Sequence, residues 1–385
     1  MSHSLGPEHG RDLICFSHLR WNFVYQRPQH LMTRCAQDRR VFFFEEPEYV
    51  RNVKPHLQIR SAGDVTIVVP QLSEECLDTN EEQRLLVDEL LQHADIRDFL
   101  LWYYTPMALA FTRHLNPTAV VYDCMDDLSA FKNPPTALRA LDAELMRRAS
   151  LVLTGGQSLF EARRHLHRNI YPFPSSVDVN HFAQARVLNT DPPDQAPIPK
   201  PRLGFFGVID ERMDLPLLEG IAAARPDWQL VMIGPVVKID PATLPQRDNI
   251  HFLGGKTYQE LPHYVAGWNV ALLPFARNAA TRFISPTKTP EYLAAGKPVV
   301  STSIRDVIRP YGQQGLVQIA DDVSGFVRAC AAAMDENSVT RDRQAESFLR
   351  QTSWDSTWSR IRLLLDSASR PHQSHAAAEV DAAAV

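Results

Sequence analysis

Short apolar segments alternate with amphipathic segments through the first half of the chain. The apolar segments are rich in β-branched or aromatic side chains and lack polar alternation, which is typical of parallel strands covered on both faces. The predicted strands are Leu13–Phe16, Val41–Phe44, Thr66–Val69, Leu100–Tyr104, Ala119–Tyr122 and Leu151–Leu153. Between them, apolar residues at helical spacing predict helices at Glu81–Leu91 and Thr136–Ser150.

A second alternation of strands and helices follows the segment AQARVLNTDPPDQAPIPKP at 183–201. Because proline cannot continue a helix or donate to a strand ladder, this segment is predicted to be a linker. Beyond it, strands are predicted at Arg202–Phe206, Gln229–Ile233, Ile250–Leu253, Val270–Pro274, Pro298–Ser301 and Leu316–Ile319, and helices at Asp214–Ala224, Tyr258–Gly267, Pro290–Ala295 and Val323–Met334. The pattern predicts an α/β protein with two doubly wound, Rossmann-like domains facing across a cleft.

The predicted domains are 12–182 and 202–350, on either side of the Pro-rich linker 183–201. A helix in 351–370 follows the second domain. The ends, 1–11 and 371–385, have few large apolar residues to bury and are predicted to be disordered.

Composition narrows the class of protein. The net charge of -5 argues against non-specific nucleic-acid binding, which needs a strongly basic surface. The five cysteines are scattered and form no CxxC pattern, so we expect buried thiols in a reducing compartment. The sequence has no signal-peptide pattern and no membrane-spanning apolar stretch, which favours a cytoplasmic protein and leaves peripheral contact with a membrane open.

The segment SPTKTPEYLAAGKPVVST lies where a ligand site is expected, between two predicted strands. A helix beginning near Thr289 or Pro290, capped by Thr287 or Thr289, would place Lys288 beside exposed backbone N–H groups as an anion site. Glu291 in the first turn suits two sugar hydroxyls, so phosphate plus ribose is the predicted ligand. The alternative is that Glu291 only complements the helix dipole and Lys288 is solvated.

Two further loops follow predicted strands in this half of the chain. In GFFGVIDERMD, Arg212 suits bidentate phosphate contact, or else it pairs with Asp210 or Glu211 at the surface. In FLGGKTY, Gly254 and Gly255 allow a flat ligand such as a base to approach the backbone, although an ordinary turn explains them equally. Neither GxGxxG nor a P-loop is present.

In the first half, VVYDCMDDLSAF places three carboxylates after a strand. Asp126 and Asp127 could orient or deprotonate a hydroxyl nucleophile, or hold a divalent metal. The alternatives are structural: Asp127 caps a turn, and Asp123 bridges loops.

The segment FSHLRWNFVYQRPQHL follows the first strand and leads into a helix near Arg27. His18, Arg20, Trp21 and Arg27 are candidates for substrate contact, since a tryptophan beside cations suits stacking on a sugar ring. A lone histidine is more often structural.

Taken in order, these motifs resemble the group 1, family 4-like superfamily of GT-B nucleotide-sugar glycosyltransferases, in its teichuronic-acid-type branch. The resemblance spans about Asp12 to Ser367. The matching segments are RWNFVYQRPQHL, YDCMDDLSAF, PFPSSVDVNHF, GFFGVID, HFLGG and SPTKTPEYLAAGKPVVST.

The resemblance implies transfer of a hexose from a nucleoside-diphosphate sugar to a hydroxyl acceptor, in cell-surface polysaccharide or glycolipid synthesis. It implies a metal-independent, retaining reaction without a cofactor, on a sugar or lipid-linked acceptor held by the N-terminal domain. It also implies that the final helix, in 351–370, returns to the N-terminal domain. The implied donor site is Gly207 and Arg212, the base-contact segment Gly255, Lys256 and Thr257, then Lys288 and Glu291. The implied acceptor contacts are His18, Arg20, Trp21 and Arg27. The implied catalytic residues are Asp126, Asp127, Arg212 and Lys288. If the enzyme inverts, Asp126 or Asp127 becomes the general base.

The sequence also departs from the superfamily pattern. Phe283 stands where a second glutamate is frequent, Ser175 and Ser176 replace Asn-Gly, and the usual histidine gives way to the aspartate cluster. Two alternatives therefore stay open: a nucleotide-sugar epimerase on the same fold, and an inactive scaffold or polysaccharide-binding protein. A metal-dependent GT-A transferase fits less well, because no DxD motif occurs in the aspartate cluster.

Overall fold

The computed structural model describes residues 10–335 and 338–369. The predicted disordered tail 371–385 and residues 1–9 of the predicted disordered start lie outside the described residues. Residues 10 and 11 are folded against the first domain, with Arg11 Nε 2.7 Å from Asp98 Oδ2.

The first sheet contains nine strands within the described residues, in the order β3-β5-β2-β1-β6-β7-β8-β9 with β4 beside β5. All six predicted strands are present. Three were missed: the edge strands β3 and β9, which are short, and β4, which alternates polar and apolar residues because it lies antiparallel on the sheet edge. The strands are β1 Asp12–Phe16, β2 Val41–Phe44, β3 Glu48–Val50, β4 His56–Ala62, β5 Val65–Ser73, β6 Phe99–Tyr103, β7 Ala119–Cys124, β8 Leu151–Thr154 and β9 Ile170–Pro172.

The second sheet has six parallel strands in the described part of the chain, in the order β12-β11-β10-β13-β14-β15. Its strands match the predicted ones, with shifts of one or two residues at some ends. They are β10 Arg202–Phe206, β11 Gln229–Ile233, β12 Ile250–Phe252, β13 Val270–Leu273, β14 Val299–Ser301 and β15 Gln318–Ile319. Two parallel-dominated sheets confirm the predicted α/β fold with two Rossmann-like domains.

Helices connect the strands in both domains. The first domain contains α1 Arg27–Cys35, α2 Thr79–His93, α3 Leu109–Thr112, α4 Leu138–Arg148 and α5 Gln157–Arg163. The remaining helices are α6 Val179–Ala183, α7 Leu215–Ala224, α8 Leu261–Ala266, α9 Lys288–Ala294, α10 Arg305–Val307, α11 Val323–Asp335, α12 Ser338–Leu349 and α13 Trp354–Ala368. None of these helices is long and apolar enough to cross a bilayer.

The chain crosses between the domains twice. Phe173 belongs to the first core and Val177 to the second, so the first crossing lies between them. Leu349 belongs to the second core and Trp354 to the first, which places the return crossing there. The two crossings touch, since Val177 N–H donates to Thr352 O at 3.0 Å.

The first crossing comes earlier than the predicted boundary at residue 182. Phe182 is fully buried in the second core, where its ring stacks on Phe206 at 5.8 Å. The N-terminal domain therefore ends before α6, because burial of this ring commits α6 to the second domain.

The predicted linker 183–201 is packed against the second domain and is not a free tether. The Gln195 amide is fully buried, where its Nε2 donates to Tyr264 O at 3.0 Å and its Oε1 accepts from Trp268 Nε1 at 2.9 Å. The segment opens with the end of α6 and a 3-10 turn at Gln184–Arg186, and the proline-rich part after them is irregular. Buried polar partners hold that part in place.

Helix α13 returns to the first domain. Trp354, Trp358, Ile361 and Leu365 are buried in the core that also contains Leu31 of α1. The two domains are thus joined by the packing of α13 as well as by two crossings.

Candidate active site in the interdomain cleft

Two adjoining cavities lie between the domains at the carboxyl ends of the strands. The larger has a volume of about 660 Å³ and the smaller about 130 Å³. Val24, Gly207 and Lys288 line both cavities, so the two form one continuous cleft. This is where a parallel sheet is expected to bind its ligand.

Glu291 presents a buried carboxylate to the larger cavity. The residue is only 6% exposed, and its Oε2 has no hydrogen-bond partner among the described residues. Lys288 Nζ lies 3.8 Å from that oxygen and donates to Thr287 Oγ1 at 2.8 Å. Burial raises the pKa of Glu291 to about 7, and the Lys288 ammonium opposes this rise. A buried acceptor without a donor suits a ligand that brings hydroxyl groups.

The helix that holds this pair differs slightly from the prediction. It begins at Lys288, and Thr287 occupies the cap position without a capping hydrogen bond from its side chain. Tyr292 on the opposite side is fully buried, and its hydroxyl accepts from Phe206 N–H at 2.9 Å. This contact ties α9 to the end of β10, which fixes the position of Glu291 relative to the sheet.

Gly207 follows β10 with φ of +149°, a conformation that side chains rarely adopt. A Cβ there would lie 3.3 Å from Lys288 Cε. Gly234 supports it from β11, since a Cβ on Gly234 would lie 1.8 Å from Gly207 O. The two glycines keep the strand ends free of side chains beside Lys288, which leaves room for a ligand.

Arg212 and Asp126 line the smaller cavity. The Arg212 guanidinium is held by Asp210, with Nε 2.9 Å from Oδ1 and Nη2 2.8 Å from Oδ2. Arg212 therefore pairs with Asp210, as the alternative held, but it lines the smaller cavity, whereas that alternative placed the pair at the surface. Burial raises the pKa of Asp126, and the Arg212 charge opposes this rise.

Gly255, Lys256 and Thr257 line the larger cavity together. The two polar side chains are already engaged: Lys256 Nζ lies 2.6 Å from Asp194 Oδ2, and Thr257 Oγ1 donates to Glu260 Oε2 at 2.6 Å. What this segment offers a ligand is therefore mainly backbone.

Of the predicted acceptor contacts, Arg27 and Trp21 reach the cleft. Arg27 lines the smaller cavity, but its guanidinium is buried against Asp123 at 2.9 Å and donates to Phe173 O at 2.7 Å. Asp123 thus has a structural role, which is the alternative to a role in catalysis that the sequence left open. Trp21 lines the larger cavity beside the predicted donor residues, with its ring edge against Phe43 at 5.0 Å.

The structure does not bring Arg20 or His18 to the walls of the two cavities. Arg20 donates to Glu45 Oε2 at 3.2 Å and to Pro47 O at 3.0 Å, so it braces a loop. Burial lowers the pKa of His18 to about 4, helped by the nearby Lys238 charge, and the ring is neutral at physiological pH.

Asp127 also lies outside the two cavities. Its carboxylate accepts from Ser129 Oγ at 2.8 Å and lies 3.5 Å from Arg163 Nη2. Asp126 is thus the member of the pair that faces the cleft. Among the described residues, no three histidine, cysteine or acidic side chains cluster as a metal site would require.

Sequence reasoning missed Phe23 and Tyr258 as cavity residues. The Tyr258 hydroxyl is buried with no partner in the described part of the chain, and burial together with the Glu291 charge raises its pKa. The run FVY in the N-terminal loop was the available signal for Phe23. Phe283, the departure from the superfamily glutamate, packs against the core of the first domain instead of facing a ligand.

The comparisons with known proteins agree with this geometry. Residues 200–336 match the family model Glyco_trans_1_4, described as glycosyl transferases group 1. The chain is similar to TuaH of Bacillus subtilis (strain 168), named as a glycosyltransferase of teichuronic acid biosynthesis, with 23% identity over 300 residues covering 72% of this chain and 74% of TuaH.

Solved structures with similar folds span nearly the whole chain. Sucrose-phosphate synthase from Thermosynechococcus elongatus has a TM-score of 0.71 at 13% identity, covering 93% of this chain and 99% of that one. An E. coli trehalose-6-phosphate structure bound with UDP-2-fluoro glucose has a TM-score of 0.68 at 13% identity, covering 94% and 99%. Anabaena HepE in complex with UDP and glucose has a TM-score of 0.63 at 14% identity, covering 92% and 99%.

These similarities confirm the predicted GT-B fold and the resemblance to group 1 glycosyltransferases. Residues 200–336, which supply Lys288, Glu291 and Arg212, form the part of the chain that matches the glycosyltransferase family. The predicted class of function, glycosyl transfer, is confirmed at that level.

Proposed function

We propose that the protein transfers a hexose from a nucleoside-diphosphate sugar to a hydroxyl group of a sugar or lipid-linked acceptor. The observation that carries the proposal is the buried Glu291 carboxylate on the wall of a cleft between two domains. It lies beside Lys288, and one of its oxygens has no hydrogen-bond donor among the described residues. A ribose supplies two hydroxyl donors to that carboxylate, and a diphosphate supplies the anion for the lysine. UDP is the first nucleotide to test, since two of the similar structures hold UDP or a UDP-sugar.

Cleavage at the anomeric carbon leaves negative charge on the departing diphosphate. Lys288 lines both cavities and Arg212 lines the smaller one, so the two cations can approach a diphosphate that passes between them. Fixed charges in a partly desolvated cleft stabilise such a leaving group without reorganisation, because Asp210 already orients Arg212. In this proposal the side chains provide the charge that a metal ion provides elsewhere, and no cofactor takes part.

The acceptor hydroxyl enters beside Asp126 in the smaller cavity. We assign retention of configuration on the resemblance to the superfamily, so Asp126 orients the hydroxyl. As the bond from the anomeric carbon to the diphosphate breaks and the bond to the acceptor oxygen forms, the hydroxyl proton passes to the departing diphosphate oxygen. Proton NMR of the first product formed distinguishes the two outcomes, because an inverted anomeric coupling would make Asp126 the general base.

Binding tests the donor site directly. Thermal shift and calorimetry are measured for UDP, GDP, ADP and dTDP with the parent, Lys288→Ala and Glu291→Ala. A ligand at a hundred times its dissociation constant stabilises the parent by about 2.7 kcal/mol, and both variants are expected to lose most of this effect. Lys54→Ala is the matched control, since Lys54 is exposed and lines neither cavity.

Two outcomes would replace the proposal. If no nucleotide stabilises the parent at millimolar concentration, the scaffold alternative takes its place. Interconversion of a bound nucleotide sugar without any acceptor would instead identify an epimerase. The similarity to TuaH supports a role in cell-surface polysaccharide or glycolipid synthesis. In this proposal the protein works on the cytoplasmic side of the membrane. Sedimentation of the protein with anionic lipid vesicles tests the peripheral contact that a lipid-linked acceptor requires.

A further inference from the structure

The loop from Arg20 to Gln26 belongs to the N-terminal domain, yet its residues 21–25 line the larger cavity together with the predicted donor residues. Buried polar groups hold this loop in one shape. Gln29, only 1% exposed, donates from Nε2 to Trp21 O at 2.7 Å and to Val24 O at 3.0 Å. Its Oε1 accepts from Gln26 N–H at 3.0 Å. The loop is therefore set before any ligand arrives.

The three aromatic side chains of this loop have different surroundings. Trp21 packs against Phe43, and the Tyr25 ring lies 4.7 Å from the Tyr258 ring. Phe23 is 47% exposed and makes no ring contact with another described residue. A large apolar ring on a braced loop at the wall of a ligand cavity is a surface prepared for stacking.

The second domain offers a flat surface to the same cavity. Gly255 lines it, and a Cβ built there would meet nothing nearer than Pro235 Cδ at 3.9 Å. Because the side chains of Lys256 and Thr257 are engaged by Asp194 and Glu260, they are not free to read a base. Recognition of a planar group at this end of the cavity falls to the glycine backbone and to an aromatic ring.

We propose that Phe23 stacks on the nucleobase of the donor, which lies between this ring and the Gly255 backbone. The inference rests on the proposed function and adds that the donor is held by both domains. Glu291 would take the ribose and Lys288 the diphosphate, which leaves the base for the part of the larger cavity lined by Gly255 and Phe23. Since every base presents a π face, the stack provides affinity more than choice between bases.

Phe23→Ala tests the stack, and the exposed position of the ring means that the variant is expected to fold. Calorimetry is run with UDP and with inorganic pyrophosphate, which lacks the base. UDP binding is expected to weaken about tenfold while pyrophosphate binding stays unchanged, and Phe23→Trp is expected to restore UDP binding. Leu77→Ala is the control, because Leu77 is fully exposed outside the two cavities and is expected to leave both affinities unaltered.

A second readout comes from Phe23→Trp itself. Its fluorescence, compared with that of the parent, is expected to change on adding UDP and not on adding pyrophosphate. UDP binding by the parent that survives Phe23→Ala undiminished would overturn the stack and leave the proposed function standing. Equal weakening of UDP and pyrophosphate would also overturn it, since the ring would then act on the shape of the whole site. Failure of the parent to bind UDP, GDP, ADP or dTDP would remove both proposals.

Discussion

Replacing Glu291 by glutamine is expected to stabilise the unliganded protein at alkaline pH while weakening its affinity for nucleotide. The carboxylate is buried, and one of its oxygens has no donor among the described residues. Lys288, at 3.8 Å, compensates the charge only in part. The side chain therefore costs folding free energy in exchange for a ligand contact, which is a common trade at binding sites.

The size and direction of the effect follow from the pKa. Burial raises the pKa of Glu291 from its ordinary value of 4.5 to about 7. The folded protein therefore holds the proton more tightly than the unfolded chain, and the free energy of unfolding falls as pH rises from the lower value to the higher one. Above pH 7 the loss is complete and amounts to about 3 kcal/mol, at about 1.36 kcal/mol for each pKa unit.

Differential scanning calorimetry without nucleotide measures the effect at about pH 5 and about pH 8.5. Glu291→Gln is expected to melt about 5 °C above the parent at the higher pH and close to it at the lower pH. Glu219→Gln, at an exposed position on α7, is the control and should follow the parent at both. An equal difference at the two pH values would refute the reasoning, because the burial cost would then not depend on ionisation.

Three further outcomes are expected. UDP affinity of the parent rises with pH through about 7, because only the ionised Glu291 accepts from two hydroxyls, and calorimetry across pH should find no such rise in Glu291→Gln. Asp123→Asn leaves the buried Arg27 charge without its partner and is expected to lower the unfolding free energy in urea by about 3 kcal/mol or more; a loss under 1 kcal/mol would count against an essential pair. Gly156→Ala places a Cβ 2.1 Å from Asp306 Oδ2 at the domain interface, so the two domains are expected to pack less tightly. Limited proteolysis should then cut the domain crossings faster, and an unchanged cleavage rate would contradict this.

Much of the fold follows from local patterns in the chain. Apolar runs such as Val41–Phe44 and Gln229–Ile233 are strands because only burial in a covered parallel sheet satisfies them. The sequence also predicts that Lys288 and Glu291 lie close together, since residues three apart on a helix lie on the same face. For the same reason a candidate donor site could be predicted from one short segment.

Local sequence patterns do not predict the partners of the polar side chains that follow the strands. Asp126 and Asp127 are neighbours in sequence, yet one faces the cleft and the other pairs with Arg163, far along the chain. Arg20 is a reasonable candidate from the sequence, but in the structure it is bonded to Glu45 and to the loop beside it. Whether a charged side chain can meet a ligand depends on which residues pair with it and on whether the pair faces the cleft. Both depend on packing between segments.

That residues from both domains line the cleft also depends on tertiary structure. Sequence patterns place Trp21 and Phe23 in an N-terminal loop, and only the packing of the two domains brings that loop to the cavity of Glu291. The first crossing also lies before Phe182 because that ring is buried against Phe206, a contact invisible to local periodicity. Periodicity predicts which residues are buried. Long-range contacts decide which residues they pack against, and the positions of the site residues depend on those contacts.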